Sequence, residues 1–146
     1  MFNRTCVTCG TPFKTEHPKY INCSKKCNGI YRVTARYERD NGNWQAYFKH
    51  LLSKKKDSTL TVRQLLNMLE RQNHRCALSG VEMTCIRKRG STILTNVSID
   101  RIKPGGAYNS RNVQLVCRAV NSFRSTLPIP EYLEWCRKVV AYNKVK

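Results

Sequence analysis

Asp100 and Asn121 are residues of a kind that can share a divalent cation, and the pattern between them suits that task. Asp100 closes a short apolar run, Val97-Ser98-Ile99. A loop rich in glycine and tyrosine follows, from Pro104 to Ser110. A second apolar run covers Val113 to Val116, and a helix-compatible segment then carries Asn121. Two strands and a helix in that order can bring a carboxylate and an amide oxygen onto one ion, and such oxygen ligands suit Mg²⁺ or Mn²⁺. The chain is strongly basic, so a phosphodiester is the natural target. Taken singly, each residue has a plainer reading. Asp100 could be a turn aspartate or an ion-pair partner, Asn121 a surface residue of a helix, and Tyr108 a loop packing residue. Their joint placement carries the functional case.

Cysteines supply a second chemistry. Cys6 and Cys9 form one close pair, Cys23 and Cys27 another, and thirteen residues separate the pairs. Tetrahedral Zn²⁺ takes four thiolates at about 2.3 Å. A CxxC turn folds back far enough for two sulfurs to converge, and a CxxxC pair can do so at the start of a helix. Four thiolates close the coordination sphere, which makes the expected zinc structural rather than catalytic; a disulfide or a redox-active pair is the alternative. Lys14, Lys19, Lys25 and Lys26 surround this module and would face phosphate. Cys76, Cys85, Cys117 and Cys136 are scattered and read as buried small hydrophobes rather than as a second zinc site.

The elements that must position these groups fit one domain of ordinary size, at 146 residues. Lys and Arg number 27 against nine Asp and Glu, for a net charge of +18. Basic residues are in large excess in both halves, so the basicity is no tail on a neutral body. A polyanion is the expected partner, and nucleic acid suits it better than a membrane: no apolar stretch approaches the roughly 20 residues that span a bilayer, and no signal peptide is evident. Eight cysteines in such a chain point to metal ligation in a reducing cytoplasm.

The expected class is α+β. Residues 1–40 form a zinc module with a helix over 25–40, residues 41–72 a helical connector, and residues 73–146 the core with a C-terminal helix, the whole forming one compact unit. The apolar spacing of Trp44, Tyr47, Phe48, Leu51 and Leu52 predicts a helix, and Lys54 to Ser58 a polar connector. Thr61 with Gln64 reads as a capping box ahead of the stripe Val62, Leu65, Leu66, Leu69. Residues 76–85 suggest a small hairpin or loop, and Arg87 to Gly90 an exposed basic tip. Pro128 and Pro130 separate the Asn121 helix from a last helix expected to pack Tyr132, Leu133, Trp135, Cys136, Val139 and Val140 inward.

From about residue 73 to 136 the chain resembles an HNH endonuclease of the ββα-metal type, phage-encoded enzymes and rare-cutting restriction enzymes in particular. The carrying residues are Cys76-Ala77-Leu78-Ser79-Gly80, Ser98-Ile99-Asp100-Arg101-Ile102, Gly106-Ala107-Tyr108, Asn112 to Cys117, and Asn121 with Arg124. The segment from Cys6 to Cys27 resembles the treble-clef zinc fingers of phage and prokaryotic nucleic-acid proteins. The resemblance implies Asp100 and Asn121 as ligands of a catalytic Mg²⁺ or Mn²⁺. It implies Asn112 as the residue that pins the loop between the strands, and Arg124 as a phosphate contact. The implied activity is hydrolysis of double-stranded DNA by a monomer or homodimer, in homing, restriction or phage DNA processing.

Two departures stand out. The family usually has histidine directly after the aspartate as general base; here it is Arg101, whose pKa is too high for that role. Arg101 could grip the scissile phosphate or stabilise transition-state charge. The proton acceptor is left open among Tyr108, His74, His50 and water activated by the metal. Ser79 and Val120 stand where many such domains have the second cysteine of each zinc pair. A catalytically inert, zinc-containing DNA-binding protein is the alternative reading.

Overall fold

The computed structural model describes residues 1–143 and has an α+β architecture with five helices and two small antiparallel hairpins among the described residues. The final three residues of the expected segment 73–146 lie outside the described residues. The chain divides into two compact units: Met1–Asn41 with Arg87–Ser91, and Gly42–Ile86 with Thr92–Lys146. No described helix is long and apolar enough to cross a membrane.

In the first unit, β1 (Phe2–Thr5) pairs antiparallel with β2 (Pro12–Thr15), a hairpin the sequence pattern does not announce. The helix α1 (Lys25–Asp40) begins where expected. Ser24 caps it, its hydroxyl accepting from Cys27 N at 3.2 Å. Arg87–Ser91 belong to this unit; Lys88, Arg89 and Gly90 are exposed, as expected of the basic tip, while Arg87 is half-buried. The Arg87 guanidinium lies 4.6 Å from the Tyr37 ring centroid and 3.5 Å from the Asp40 carboxylate, and its backbone amide donates to Asn41 Oδ1 at 3.2 Å.

The second unit holds α2 (Trp44–Leu52), α3 (Val62–Arg71), β3 (Val97–Arg101), β4 (Val113–Cys117), α4 (Arg118–Arg124) and α5 (Ile129–Tyr142). Asn43 caps α2 through Ala46 N at 3.0 Å. The Thr61–Gln64 capping box at α3 is reciprocal, at 3.2 and 2.9 Å. Residues 41–72 therefore build core rather than link: Phe48, Leu65 and Leu69 pack with Val97, Leu115 and Val116, all essentially without solvent exposure. Burying each such side chain contributes about 1.5–3 kcal/mol.

Strand register decides which side chains meet. Ile99 lies opposite Leu115 and Asp100 opposite Gln114. Alternation along β3 puts Val97 and Ile99 on one face, in the core, and Ser98 and Asp100 on the other, where α4 packs. A side chain also acts as a piece of strand. Gln72 donates from Nε2 to Leu115 O at 2.8 Å and accepts from Leu115 N at 3.0 Å, so the end of α3 is stitched to the backbone of β4.

The last helix corrects an expectation. Of the six residues expected to pack inward, Tyr132 packs against the core; Leu133, Trp135, Cys136, Val139 and Val140 are exposed, Trp135 at 59 % and Val139 at 57 %. Helical apolar spacing marks a face that can be buried but not what would cover it, and no residue of α5 is fully buried.

Replacing Gln72 by alanine should orphan the buried Leu115 amide, because Ala77 N still donates to Leu115 O. A loss of about 1–3 kcal/mol is expected, read as a lower urea midpoint with the secondary structure unchanged.

Candidate functional site

The four N-terminal cysteines converge. Their sulfurs all lie within 4.8 Å of one another, with Cys9–Cys23 at 3.6 Å and Cys23–Cys27 at 3.7 Å. A tetrahedron with metal–sulfur bonds of about 2.3 Å has edges of about 3.8 Å, so this group could hold a structural Zn²⁺. Two turns make the convergence. Gly10, at φ +73°, lets the chain fold back so that Gly10 N donates to Cys6 O at 2.9 Å and Cys6 N to Thr11 O at 3.0 Å. The first turn of α1 then presents Cys27. Burial raises the Cys6 thiol, but backbone hydrogen bonds from Cys23, Cys9 and Thr8 outweigh it and bring the pKa down to about 6. Interactions with the Cys9 and Cys6 sulfurs, together with burial, push Cys23 up to about 12. Four thiols this close do not all ionise without a cation among them.

The second unit repeats the turn without its chemistry. Cys76 N donates to Val81 O at 2.8 Å, Gly80 N donates to Cys76 O at 2.9 Å, and Gly80 has φ +69°. Ser79 stands where Cys9 stands in the first turn. The Ser79 side chain and nearby backbone amides lower the Cys76 thiol against the opposing effect of burial. Burial and the nearby Cys76 push Cys117 up to about 11. Val120 is buried in the core. Among the described residues, the group of Cys6, Cys9, Cys23 and Cys27 is the one cluster of three or more metal-ligating side chains.

The strand–strand–helix part of the second unit does bring the expected oxygen ligands together. Asp100, Arg101, Tyr108, Asn121 and Arg124 all line one cleft of about 50 Å³. Asn121 Nδ2 donates to Ser98 Oγ at 2.6 Å, which leaves Oδ1 without a partner among the described residues. Asp100 is buried, 3 % exposed, and its carboxylate is already engaged. Oδ1 accepts from Arg124 Nε at 3.2 Å and Nη2 at 2.5 Å, and Oδ2 accepts from Gln114 Nε2 at 2.9 Å. A carboxylate offers about four acceptor positions, and three are taken here, two on Oδ1 and one on Oδ2.

Arg124 was expected on phosphate. Here its guanidinium is 1 % exposed and donates to Asp100, Leu127 O and Arg101 O. The reason is helical phase: Asn121 and Arg124, three apart, share the face of α4 that meets Ser98 and Asp100. Asn112 sits where the loop needs it. Its Nδ2 donates to Ala107 O at 3.1 Å and Lys103 O at 3.3 Å, and its Oδ1 accepts from Lys103 N at 2.9 Å. Gly106 makes room for this clamp, since a Cβ there would lie 2.5 Å from Asn112 Nδ2. Arg101 donates from Nη1 to Gly106 O at 3.2 Å and stands 4.8 Å from the Tyr108 ring centroid. His50 and His74 do not line the cleft; His74 lies 3.2 Å from Glu70 and edge-on to Trp44. Sequence reasoning missed Gln114 and Ser98, because strand register was needed to bring them beside Asp100 and Asn121.

No protein-family model, no curated protein and no solved structure matches this chain. The site therefore has to be read from its own geometry.

Removing Asp100 should cost stability. Asp100→Ala leaves Arg124 buried and uncompensated, for which about 3–5 kcal/mol is expected. Asp100→Asn keeps an acceptor for Arg124 and should lose clearly less. Chemical denaturation of the two variants side by side checks the order.

Proposed function

We propose that this chain is a metal-dependent endonuclease of the HNH type that hydrolyses phosphodiester bonds in double-stranded DNA. The observation that supports it best is the shared cleft: Asp100, a carboxylate, and Asn121, whose amide oxygen has no partner among the described residues, line it together with Arg101 and Tyr108. Both oxygens are hard ligands, suited to Mg²⁺ or Mn²⁺. A cation bound there would offset the charge that develops on the departing 3′ oxygen. Arg101 is placed to hold the scissile phosphate, exchanging its bond to Gly106 O for one to a phosphoryl oxygen. Asn112 keeps the intervening loop in shape. Tyr108 lines the cleft, and the proton acceptor for the attacking water would be either Tyr108 or water activated by the metal. The cysteine group would hold structural Zn²⁺, and the net charge of +18 supplies the general attraction to DNA. One cleft per chain makes a nick the expected product of a monomer, and a double-strand cut the work of a homodimer.

One observation favours a second reading. Arg124 already brings a positive charge to Asp100, which opposes a metal on the same carboxylate and suits a zinc-containing DNA-binding protein with an inert core.

Relaxation of supercoiled plasmid in Mg²⁺ separates the two. The nuclease nicks, and Asp100→Asn and Asn121→Ala each slow nicking by about a hundredfold or more while still binding DNA. Binding without nicking in Mg²⁺ or Mn²⁺ would leave the inert reading standing.

Metal analysis of the purified protein should give one zinc per chain. Combining Cys6→Ser with Cys23→Ser should remove it, and the first unit should then lose its protease resistance.

A further inference from the structure

The connector between α2 and α3 is bound to the cleft rather than running past it. Thr59 N donates to Tyr108 O at 3.2 Å, and the Ser58 hydroxyl donates to the same oxygen at 3.4 Å. Held this way, Lys55 places Nζ 3.8 Å from the centroid of the Tyr108 ring. Arg101 approaches the same ring, at 4.8 Å. Lys55 is half-buried, while Lys54 and Lys56 beside it are exposed. The three lysines, Asp57 and Tyr108 line one open hollow. Among the described residues neither Lys55 nor Arg101 is in an ion pair, and Asp57 is in none either.

Two cations gathered on one aromatic ring repel each other. The attraction of each to the ring face is weak at a solvent-facing site. An anion beside either cation offsets that repulsion. Lys55 lines one hollow with Lys54 and Lys56, and Arg101 lines the cleft. The ring belongs to both places, since Tyr108 also lines the cleft with Asp100 and Asn121. An anion bound at Lys55 would therefore be a neighbour of one bound at the cleft.

We propose that Lys55 binds a backbone phosphate of the DNA strand that lies in the cleft, next to the phosphate at Asp100, with Tyr108 as the floor between them. Lys54 and Lys56 meet the backbone further along. The connector thus becomes part of the nucleic-acid site, and the hydrogen bonds of Ser58 and Thr59 to Tyr108 O fix its distance from the reacting centre. The inference rests on the nuclease reading for the identity of the neighbouring phosphate.

The test is binding of a fluorescent DNA duplex without added Mg²⁺, across a series of KCl concentrations. No cleavage step enters, so an inactive enzyme and an absent phosphate grip give different results. Lys55→Gln should flatten the slope of log Kd against log salt by about 0.9, the contribution of one phosphate, and raise Kd several-fold at low salt. Lys55→Arg should keep the slope. Asp57→Asn, which removes the acid lining the hollow, should tighten binding at low salt. Lys138→Gln, on α5, serves as the control for a general loss of charge. An unchanged slope in Lys55→Gln, the same change in Lys138→Gln, or weaker binding by Asp57→Asn would each overturn the proposal.

Discussion

The second unit is organised around one buried ion pair. Arg124 on α4 and Asp100 on β3 have almost no solvent exposure, and the guanidinium also satisfies two backbone carbonyls, Leu127 O and Arg101 O. A buried pair of this kind adds little net stability, because desolvating both charges cancels much of their attraction; losing one partner is what costs heavily. Its effect is on geometry. With Gln114 across the hairpin, it fixes the carboxylate on three donors and sets α4 at one rotation over the sheet. That rotation puts Asn121 over Ser98 and among the residues that line the cleft. The residue that holds the site together also competes for the carboxylate, and that competition bears on the chemistry we propose.

The two turns at Cys6 and Cys76 show how one backbone can serve two ends. Each has a cysteine whose carbonyl accepts from a glycine four residues on, and each of those glycines has positive φ. In the first, four thiols converge at metal-binding distances in a unit with little apolar core: only Cys6 and Cys27 are buried there. In the second, Ser79 stands at the place equivalent to Cys9, and the turn closes on a core of leucines and valines that includes Val120. A small unit without enough apolar burial needs a metal or a disulfide to hold it, whereas one with a real core does not.

Basicity over the whole chain suits the polyanion partner we propose but does not say where a strand would run. Local structure narrows that. Arg87 is taken up by Tyr37 and Asp40, and Arg124 by Asp100, so neither is free to neutralise phosphate. Among the described residues Lys55 and Arg101 are in no ion pair, and both approach the Tyr108 ring. Which lysines and arginines are already committed to acids therefore matters more than their number.

Much of this was legible in the sequence, where local rules apply. The bounds of α1 and α2, the Thr61–Gln64 box and the cysteine group all depend on residues close in the chain or on strong spacing. What only the tertiary structure decided depends on register and on what covers a face. The pairing of Asp100 with Gln114 follows from strand register. The capture of Arg124 follows from the rotation of α4 over β3. The grip of Gln72 on Leu115 joins residues far apart in sequence, and so does the hold of Ser58 and Thr59 on Tyr108. The exposed face of α5 is the converse case. Apolar spacing identifies a surface that can be buried, but only the packed chain shows whether anything is there to bury it.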